Sequence, residues 1–470
     1  MNIALLTSEI AVLVLGLLII IFDVLIPRQE THRSLGYIAA CGVLAILVHS
    51  MTQYGAAATV YQGLFVVDNL ALFFKQLFLA ATFLTLLFSV EYVEKWIQNS
   101  GEFYALLLFA LLGMMVMASA NDLITMFIGM ELMAIVFYAL VGFELRSKKS
   151  SEAGMKYLML GAASSAIMLY GMSWVYGFTG SLVLSQIAVK ATASPAMLLG
   201  MGLMLAGLCF KLSIVPFHMW APDVYEGAPT PITAMLAMGS KAAAFAVLIR
   251  VFLIAFSDLQ EYWATIVSLL AAASMIVGIV VAIWQTNIKR MLAYSSIAQA
   301  GYILSGLLAG NVAGVKGMLF YAVLYMFATA GAFAVSTAVK NHNGSDEIEG
   351  FSGLAQKSPL LAVVMTISLL SMAGLPPMAG FVGKLYLFTA IADKGYLWLV
   401  ILGFVMSMIS VYYYMLVVKT MYSKARDQQE FVVRGSLQVV AVISLLASLF
   451  IGIYPGPLAK LANFAAQALW

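Results

Sequence analysis

The chain has 470 residues, of which 63% are hydrophobic and 10% charged, and its formal net charge is +3. An ordinary soluble domain has roughly a quarter of its residues charged, so this composition excludes a soluble protein and requires most of the chain to face lipid or other helices. The small charge gives no basis for nucleic-acid binding, and without a Gly-rich phosphate loop or a long polar segment there is no place for a nucleotide domain.

Apolar runs of about 20 residues, enough for a helix to cross a hydrocarbon core of about 30 Å, recur from end to end. The first, from Ile3 to Val24, has no positive stretch before it and no small-residue cleavage site after it, and is expected to be a retained helix, not a signal peptide. Reading the runs between polar breaks predicts spans at 3–26, 34–53, 68–91, 103–120, 122–143, 153–178, 195–221, 231–256, 261–285, 291–309, 313–339, 358–392, 396–421 and 436–455. This is an all-α polytopic membrane protein of about fourteen transmembrane helices. Pro216 should interrupt the seventh span, and 358–392 is too long for one pass, with Gly374, Pro376, Pro377 and Gly380 at its middle. Helices 7 and 12 are therefore expected to be broken. Cys41 and Cys209 lie inside apolar runs, and His32, His49, His218 and His342 have no ligand spacing, so no disulfide framework or metal site is expected.

The odd-numbered loops carry Arg28, Arg33, Lys95, Arg146, Lys148, Lys149, Lys289, Arg290, Lys340, Lys357, Lys424, Arg426 and Arg434; the even-numbered loops and the tail carry Lys190, Lys394 and Lys460. This asymmetry predicts an even number of spans with both termini on the outer, periplasmic side. Lys156 in the sixth span and Lys316 in the eleventh share one offset of 160 residues with Pro216 and Pro376. The match suggests two five-helix units, the second inverted because five is odd, as in transporters built from inverted repeats with broken helices. The chain then divides into N-terminal helices over 1–102, a first unit over 103–256, an inverted second unit over 261–421, and a loop, last helix and short tail over 422–470.

Ionisable residues at a helix centre cost at least about 2.5 kcal/mol each on insertion scales. Glu131 in the fifth span, Lys211 in the seventh, Lys241 in the eighth and Lys384 after the break of the twelfth lie too deep to reach the interface easily. They serve either as structural ion pairs or as a proton path. Lysine suits the second role, because an ammonium out of water gives up its proton more readily and an approaching carboxylate restores its hold. Glu131 and Lys211 are expected to pair, with the path continuing through Lys241 to Lys384 across bridges drawn from Tyr157, Ser164, Ser165, Ser240, Ser295 and Tyr302. Lys156 stands one turn further in than the cations that anchor its helix and is grouped with the path. For Lys75 and Lys316, nearer the ends of their spans, a functional role and simple snorkelling stand side by side. His218, beyond the Pro216 break, either carries a proton or satisfies freed carbonyls.

The string Lys211-Leu-Ser-Ile-Val-Pro-Phe-His-Met-Trp-Ala-Pro-Asp223-Val-Tyr-Glu-Gly-Ala-Pro-Thr-Pro231, followed by Ser240-Lys241, resembles the N-subunit family of bacterial proton-pumping NADH:quinone oxidoreductase, respiratory complex I. Phe127-Ile-Gly-Met-Glu131-Leu, Ser151-Glu-Ala-Gly-Met-Lys156-Tyr, Gln285-Thr-Asn-Ile-Lys-Arg-Met-Leu-Ala-Tyr-Ser-Ser296 and Gly374-Leu-Pro-Pro-Met-Ala-Gly-Phe-Val-Gly-Lys384 agree with it. The resemblance covers nearly the whole chain. It implies one of three antiporter-like subunits of a membrane arm in the bacterial inner membrane, with proton-transfer groups at the positions of Glu131, Lys156, Lys211, Lys241 and Lys384. It also implies that NADH, FMN, iron–sulfur clusters and quinone belong to partner subunits, with no cofactor in this chain. The chain is expected to lack the long lateral helix of the largest sibling. Gln299 stands where several members have histidine, which removes a titrating group there. The alternative is a subunit of a multisubunit sodium/proton antiporter without redox coupling, and a third reading is an inert scaffold.

Overall fold

The structure is a computed structural model, and it describes residues 3–26, 33–55, 58–60, 63–424, 431, 433 and 435–470. Arg28, His32, Arg426 and Arg434 lie outside the described residues. Thirteen helices among the described residues are long and apolar enough to cross a membrane: Thr7–Leu25, Arg33–Met51, Asn69–Trp96, Ser100–Ser119, Leu123–Val141, Lys148–Thr179, Pro195–Leu212, Thr230–Ala255, Ser257–Ala282, Ile288–Ala309, Val312–Asn343, Leu397–Met421 and Gly435–Ile453. Two shorter apolar helices, Pro359–Ala373 and Ala379–Ala392, together form the twelfth span and bring the crossings to the expected fourteen.

Many helix starts can be traced to a polar residue that takes up free backbone N–H groups. Asp68 accepts from Ala71, Asp122 from Ile124 and Thr125, Ser194 from Met197, and Asn287 from Lys289 and Arg290. Such caps contribute about 1 kcal/mol each. The sixth and eleventh spans stop at Gly180 and Gly344, both in the left-handed conformation that lacks a Cβ penalty only for glycine.

Both expected breaks are present, and each follows from proline geometry. A proline ring clashes with the carbonyl four residues before it, so Pro216 ends the seventh span at Leu212, four residues earlier than the ring itself. The helix resumes as Trp220–Gly227. Pro376 and Pro377 act in the same way on Met372 and Ala373, and the twelfth span stops at Ala373 and restarts at Ala379. The eighth span is continuous but contains two π-helical turns, Leu236–Ser240 and Val251–Ala255.

Polarity and position vary together. The first span has a mean hydropathy of 2.6 and is mostly exposed, whereas the tenth, at 1.2, is almost wholly enclosed by protein together with the eighth and eleventh. The enclosed spans can hold polar side chains because neighbouring helices, not lipid, surround them.

The loops sort onto two faces. Odd-numbered loops meet one another: Lys95 donates to the Asn341 carbonyl, Lys149 pairs with Glu226 at 2.9 Å, Arg290 with Asp223 at 2.7 Å and Lys289 with Asp346 at 3.4 Å. Even-numbered loops do the same, with the Asn121 N–H donating to the Leu64 carbonyl at 2.9 Å and the Leu184 N–H to the Asn121 carbonyl at 3.1 Å. The periodicity did not foresee the antiparallel hairpin of Ala58–Val60 and Phe65–Val67, the short helix Leu184–Lys190, or the helix Gly456–Ala466 that packs on the third and eleventh spans.

Candidate functional site

Lys211 lies in the last turn of the first half of the seventh span and is 1% exposed. That end of a helix carries the negative pole of its dipole, which favours a cation. Its Nζ donates to the Tyr138 hydroxyl at 3.4 Å and lies 5.7 Å from the centroid of the same ring. The expected direct pair with Glu131 is not formed among the described residues. Instead Glu131, on the half-buried flank of the fifth span, accepts a hydrogen bond from Ser165 Oγ at 2.5 Å. Ser165 also lies beside the Tyr138 phenol, so the carboxylate meets one hydroxyl and the ammonium the other.

Lys241 follows immediately on the π-helical turn Leu236–Ser240. Turns of this kind recur at functional sites. The buried Lys241 Nζ donates to the Ser296 carbonyl at 3.1 Å and to Ser296 Oγ at 2.8 Å, and it lies 5.9 Å from the centroid of the Tyr225 ring. His218 is buried inside the break of the seventh span, and its Nδ1 has no hydrogen-bond partner among the described residues.

Lys384 uses the other break. Its Nζ donates to the Ala373 carbonyl at 2.9 Å, to the Met372 carbonyl at 3.3 Å and to Ser407 Oγ at 2.7 Å, with the Tyr302 ring 4.4 Å away. These carbonyls end the first half of the twelfth span, so the break exposes the helix C-terminus to which the ammonium is attracted. Gly374 makes the approach feasible: at φ +83° a Cβ there would be strained and would stand 2.9 Å from Lys384 Cδ.

A polar seam runs from Lys384 toward the tenth span, which also supplies the partner of Lys241. Ser295, next to Ser296, is hydrogen-bonded to the Tyr414 hydroxyl. Gln299 Nε2 donates to that hydroxyl at 3.4 Å and to the Met372 carbonyl at 3.0 Å, the carbonyl that Lys384 also uses. Tyr321 in turn donates to Gln299 Oε1 at 2.6 Å. Gln299 thus orders the seam where a histidine would titrate.

Of the bridges anticipated from sequence, Ser165 and Ser295 fall on this path. Tyr302 presents its ring to Lys384 while its hydroxyl donates to the Gly403 carbonyl at 3.2 Å, Ser164 faces the Gly207 carbonyl at 3.5 Å, Tyr157 stacks on Trp220 at 4.5 Å, and Ser240 lies buried in the π-helical turn. Tyr138, Ser296, Ser407, Tyr321 and Tyr414 were not anticipated. Among 22 tyrosines in so apolar a chain, type alone does not distinguish a relay hydroxyl from packing.

The remaining charges have other settings. Lys156 lies apart from Lys211, Lys241 and Lys384, 43% exposed, with Glu152 at 2.8 Å and Asp223 at 3.0 Å. With Lys149, Glu226 and Arg290 these residues line a cavity of about 220 Å³. Lys75 does not snorkel: it is buried, and its ammonium meets Glu9 of the first span at 2.5 Å. Lys316 sits 4.6 Å from the centroid of the Tyr386 ring. Arg250, also missed, is buried at the end of the eighth span, donating to the Ala118 carbonyl at 3.0 Å and to Asp68 at 2.7 Å.

A family model described as NADH:quinone oxidoreductase/Mrp antiporter, TM, matches residues 120–410, which hold Lys211, Lys241, Lys384 and Glu131. The NADH-quinone oxidoreductase subunit N of Heliobacterium modesticaldum is 52% identical over 473 aligned residues, covering 100% of each chain. The chain belongs to the subunit N family of NADH-quinone oxidoreductases. Subunit N of Moorella thermoacetica is 50% identical over 99% of this chain and 98% of its own. A chain in the structure of respiratory complex I from Thermus thermophilus with bound aureothin superposes with a TM-score of 0.84 at 33% identity, covering 97% of this chain and 99% of that one. A chain of the Mrp complex from Dietzia sp. DQ12-45-1b reaches a TM-score of 0.87 at 22% identity over 100% of this chain and 98% of its own, a likeness of fold.

Proposed function

We propose that this chain translocates protons across a bacterial inner membrane as a membrane-arm subunit of NADH-quinone oxidoreductase, beside sibling antiporter-like subunits. One observation carries the reading: Lys211, Lys241 and Lys384 are all buried, held by hydroxyls, carbonyls and aromatic faces and by no carboxylate within ion-pair distance among the described residues. A purely structural lysine would be expected to have its counter-ion, as Lys75 has, because an uncompensated buried charge is strongly destabilising. A proton carrier needs both charge states within reach, which neutral dipoles provide.

In this reading Glu131, Lys211, Lys241 and Lys384 pass the proton, and His218, with its unpartnered Nδ1, takes part at the seventh-span break. Lys156 acts from the exposed cavity at the odd-loop face as the group through which the relay communicates with water. The two breaks belong to two inverted units, 103–256 and 261–421, and both chain ends lie on the periplasmic side. NADH oxidation on FMN, electron transfer through iron–sulfur clusters and quinone reduction belong to partner subunits and supply the driving force, and this chain carries no redox centre.

The test is Lys211→Ala in the intact complex, measured as NADH oxidation and proton pumping in reconstituted vesicles. We expect pumping to fall at least tenfold with assembly preserved; unchanged pumping and oxidation would sink the relay and leave a scaffold. A native preparation without flavin and iron–sulfur subunits would instead favour the uncoupled antiporter.

A further inference from the structure

Between Glu131 and Lys211 the structure places two hydroxyls whose donor and acceptor capacities fit one directed chain. Lys211 Nζ has only protons to give and faces the Tyr138 hydroxyl at 3.4 Å. Tyr138, having accepted, has its single proton left for its neighbour Ser165, and Ser165 gives its own to Glu131 Oε1 at 2.5 Å. Tyr138 is held in this attitude from several sides. Its ring meets Tyr157 edge to face at 4.8 Å, Tyr157 stacks on Trp220 at 4.5 Å, and the Trp220 indole is itself fixed by the Phe210 carbonyl at 2.9 Å. The hydroxyl lies over Gly161 of the sixth span, where a Cβ would stand 2.1 Å from it.

We infer that Tyr138 and Ser165 form the proton wire between Lys211 and Glu131, and that Gly161 keeps the slot in which the Tyr138 hydroxyl sits. This rests on the relay reading above and assigns its first step. The transfer balances without any further reactant. Lys211 loses a proton to Tyr138 as Tyr138 passes its own to Ser165 and Ser165 passes its own to Glu131, leaving a neutral amine, two unchanged hydroxyls and a neutral carboxyl. Rotation of the two hydroxyls resets the wire. The charge separation vanishes in the transfer and reappears in the return, so the pair can exchange a proton without bringing the two side chains together.

Tyr138→Phe keeps the ring stack and removes the hydroxyl, Ser165→Ala removes the second, and Ser165→Thr restores it. In the intact complex reconstituted into vesicles, we expect Tyr138→Phe and Ser165→Ala each to lower pumping at least fivefold with NADH oxidation slowed in parallel, and Ser165→Thr to recover at least half. Gly161→Ala, which retains both hydroxyls but displaces one, should lower pumping similarly. The solvent deuterium effect on pumping should grow in Tyr138→Phe, a readout that a mere packing role would not move. Lys211→Ala runs alongside. If it abolishes pumping while Tyr138→Phe and Ser165→Ala pump like the parent, the wire is wrong and the relay stands. If Lys211→Ala also pumps normally, the relay itself is wrong. Should Tyr138→Phe fail to assemble, the Ser165 pair decides by the same criteria.

Discussion

Two kinds of buried lysine occupy the chain, and their partners distinguish them. Lys75 meets Glu9 at 2.5 Å, whereas Lys211, Lys241 and Lys384 meet hydroxyls and carbonyls. The difference predicts opposite behaviour on substitution. Glu9→Ala leaves Lys75 as an uncompensated buried charge and should destabilise the protein by about 3–5 kcal/mol, read as a lowered midpoint of thermal unfolding in detergent. The double variant Glu9→Leu with Lys75→Met should recover most of that loss and leave pumping intact. A double variant that is stable but does not pump would move Lys75 into the relay. In the sequence Lys75 and Lys211 are both single cations in apolar runs and differ only in depth, which says nothing of a counter-ion. The counter-ion is 66 positions away, on another helix, and no local signal connects them.

The broken helices turn a backbone defect into an electrostatic resource. Each proline removes a turn of hydrogen bonds and leaves carbonyls at a helix end inside the protein, and side chains from the same neighbourhood take them up. At the twelfth span Lys384 does so through Met372 and Ala373, and at the seventh the Trp220 indole does so through Phe210. Trp220→Phe keeps the aromatic stack with Tyr157 but leaves the Phe210 carbonyl without its donor. It should cost about 1–3 kcal/mol of stability, seen as a lower unfolding midpoint, with a smaller loss of pumping as the ring that orients Tyr138 loosens. An unchanged midpoint would mean that the carbonyl finds another donor. The breaks were legible because proline and glycine act locally. The π-helical turn before Lys241 was not, since Leu236–Ser240 contains no residue that demands it and tertiary packing alone selects it.

Across the whole molecule, odd loops touch odd loops and even loops touch even loops, and under the proposed orientation the lysine- and arginine-rich odd face is the cytoplasmic one. In a variant free of Cys41 and Cys209, cysteine at Lys394 should react with an impermeant maleimide added outside intact spheroplasts, and cysteine at Glu349 only after permeabilisation. The reverse pattern would invert the orientation and with it the direction of the relay. The enclosed eighth, tenth and eleventh spans carry most of the polar seam, while the exposed first span is the most apolar, so the molecule is organised around a polar interior inside a lipid-facing shell. By itself the sequence determined the number of crossings, the two breaks, the loop asymmetry and the four deep charges Glu131, Lys211, Lys241 and Lys384. Each of these follows from properties read along the chain: hydropathy over a bilayer's thickness, proline's missing N–H, and the cost of a charge in hydrocarbon. Only the tertiary structure decided that Lys211 meets Tyr138 and Glu131 meets Ser165 instead of each other, that Lys75 is paired with Glu9, that Lys156 is exposed among acids, and that Gln299 shares the Met372 carbonyl with Lys384. Those arrangements depend on which helices are neighbours and how each is rotated, and hydrophobic periodicity is silent on both when a helix is apolar all round.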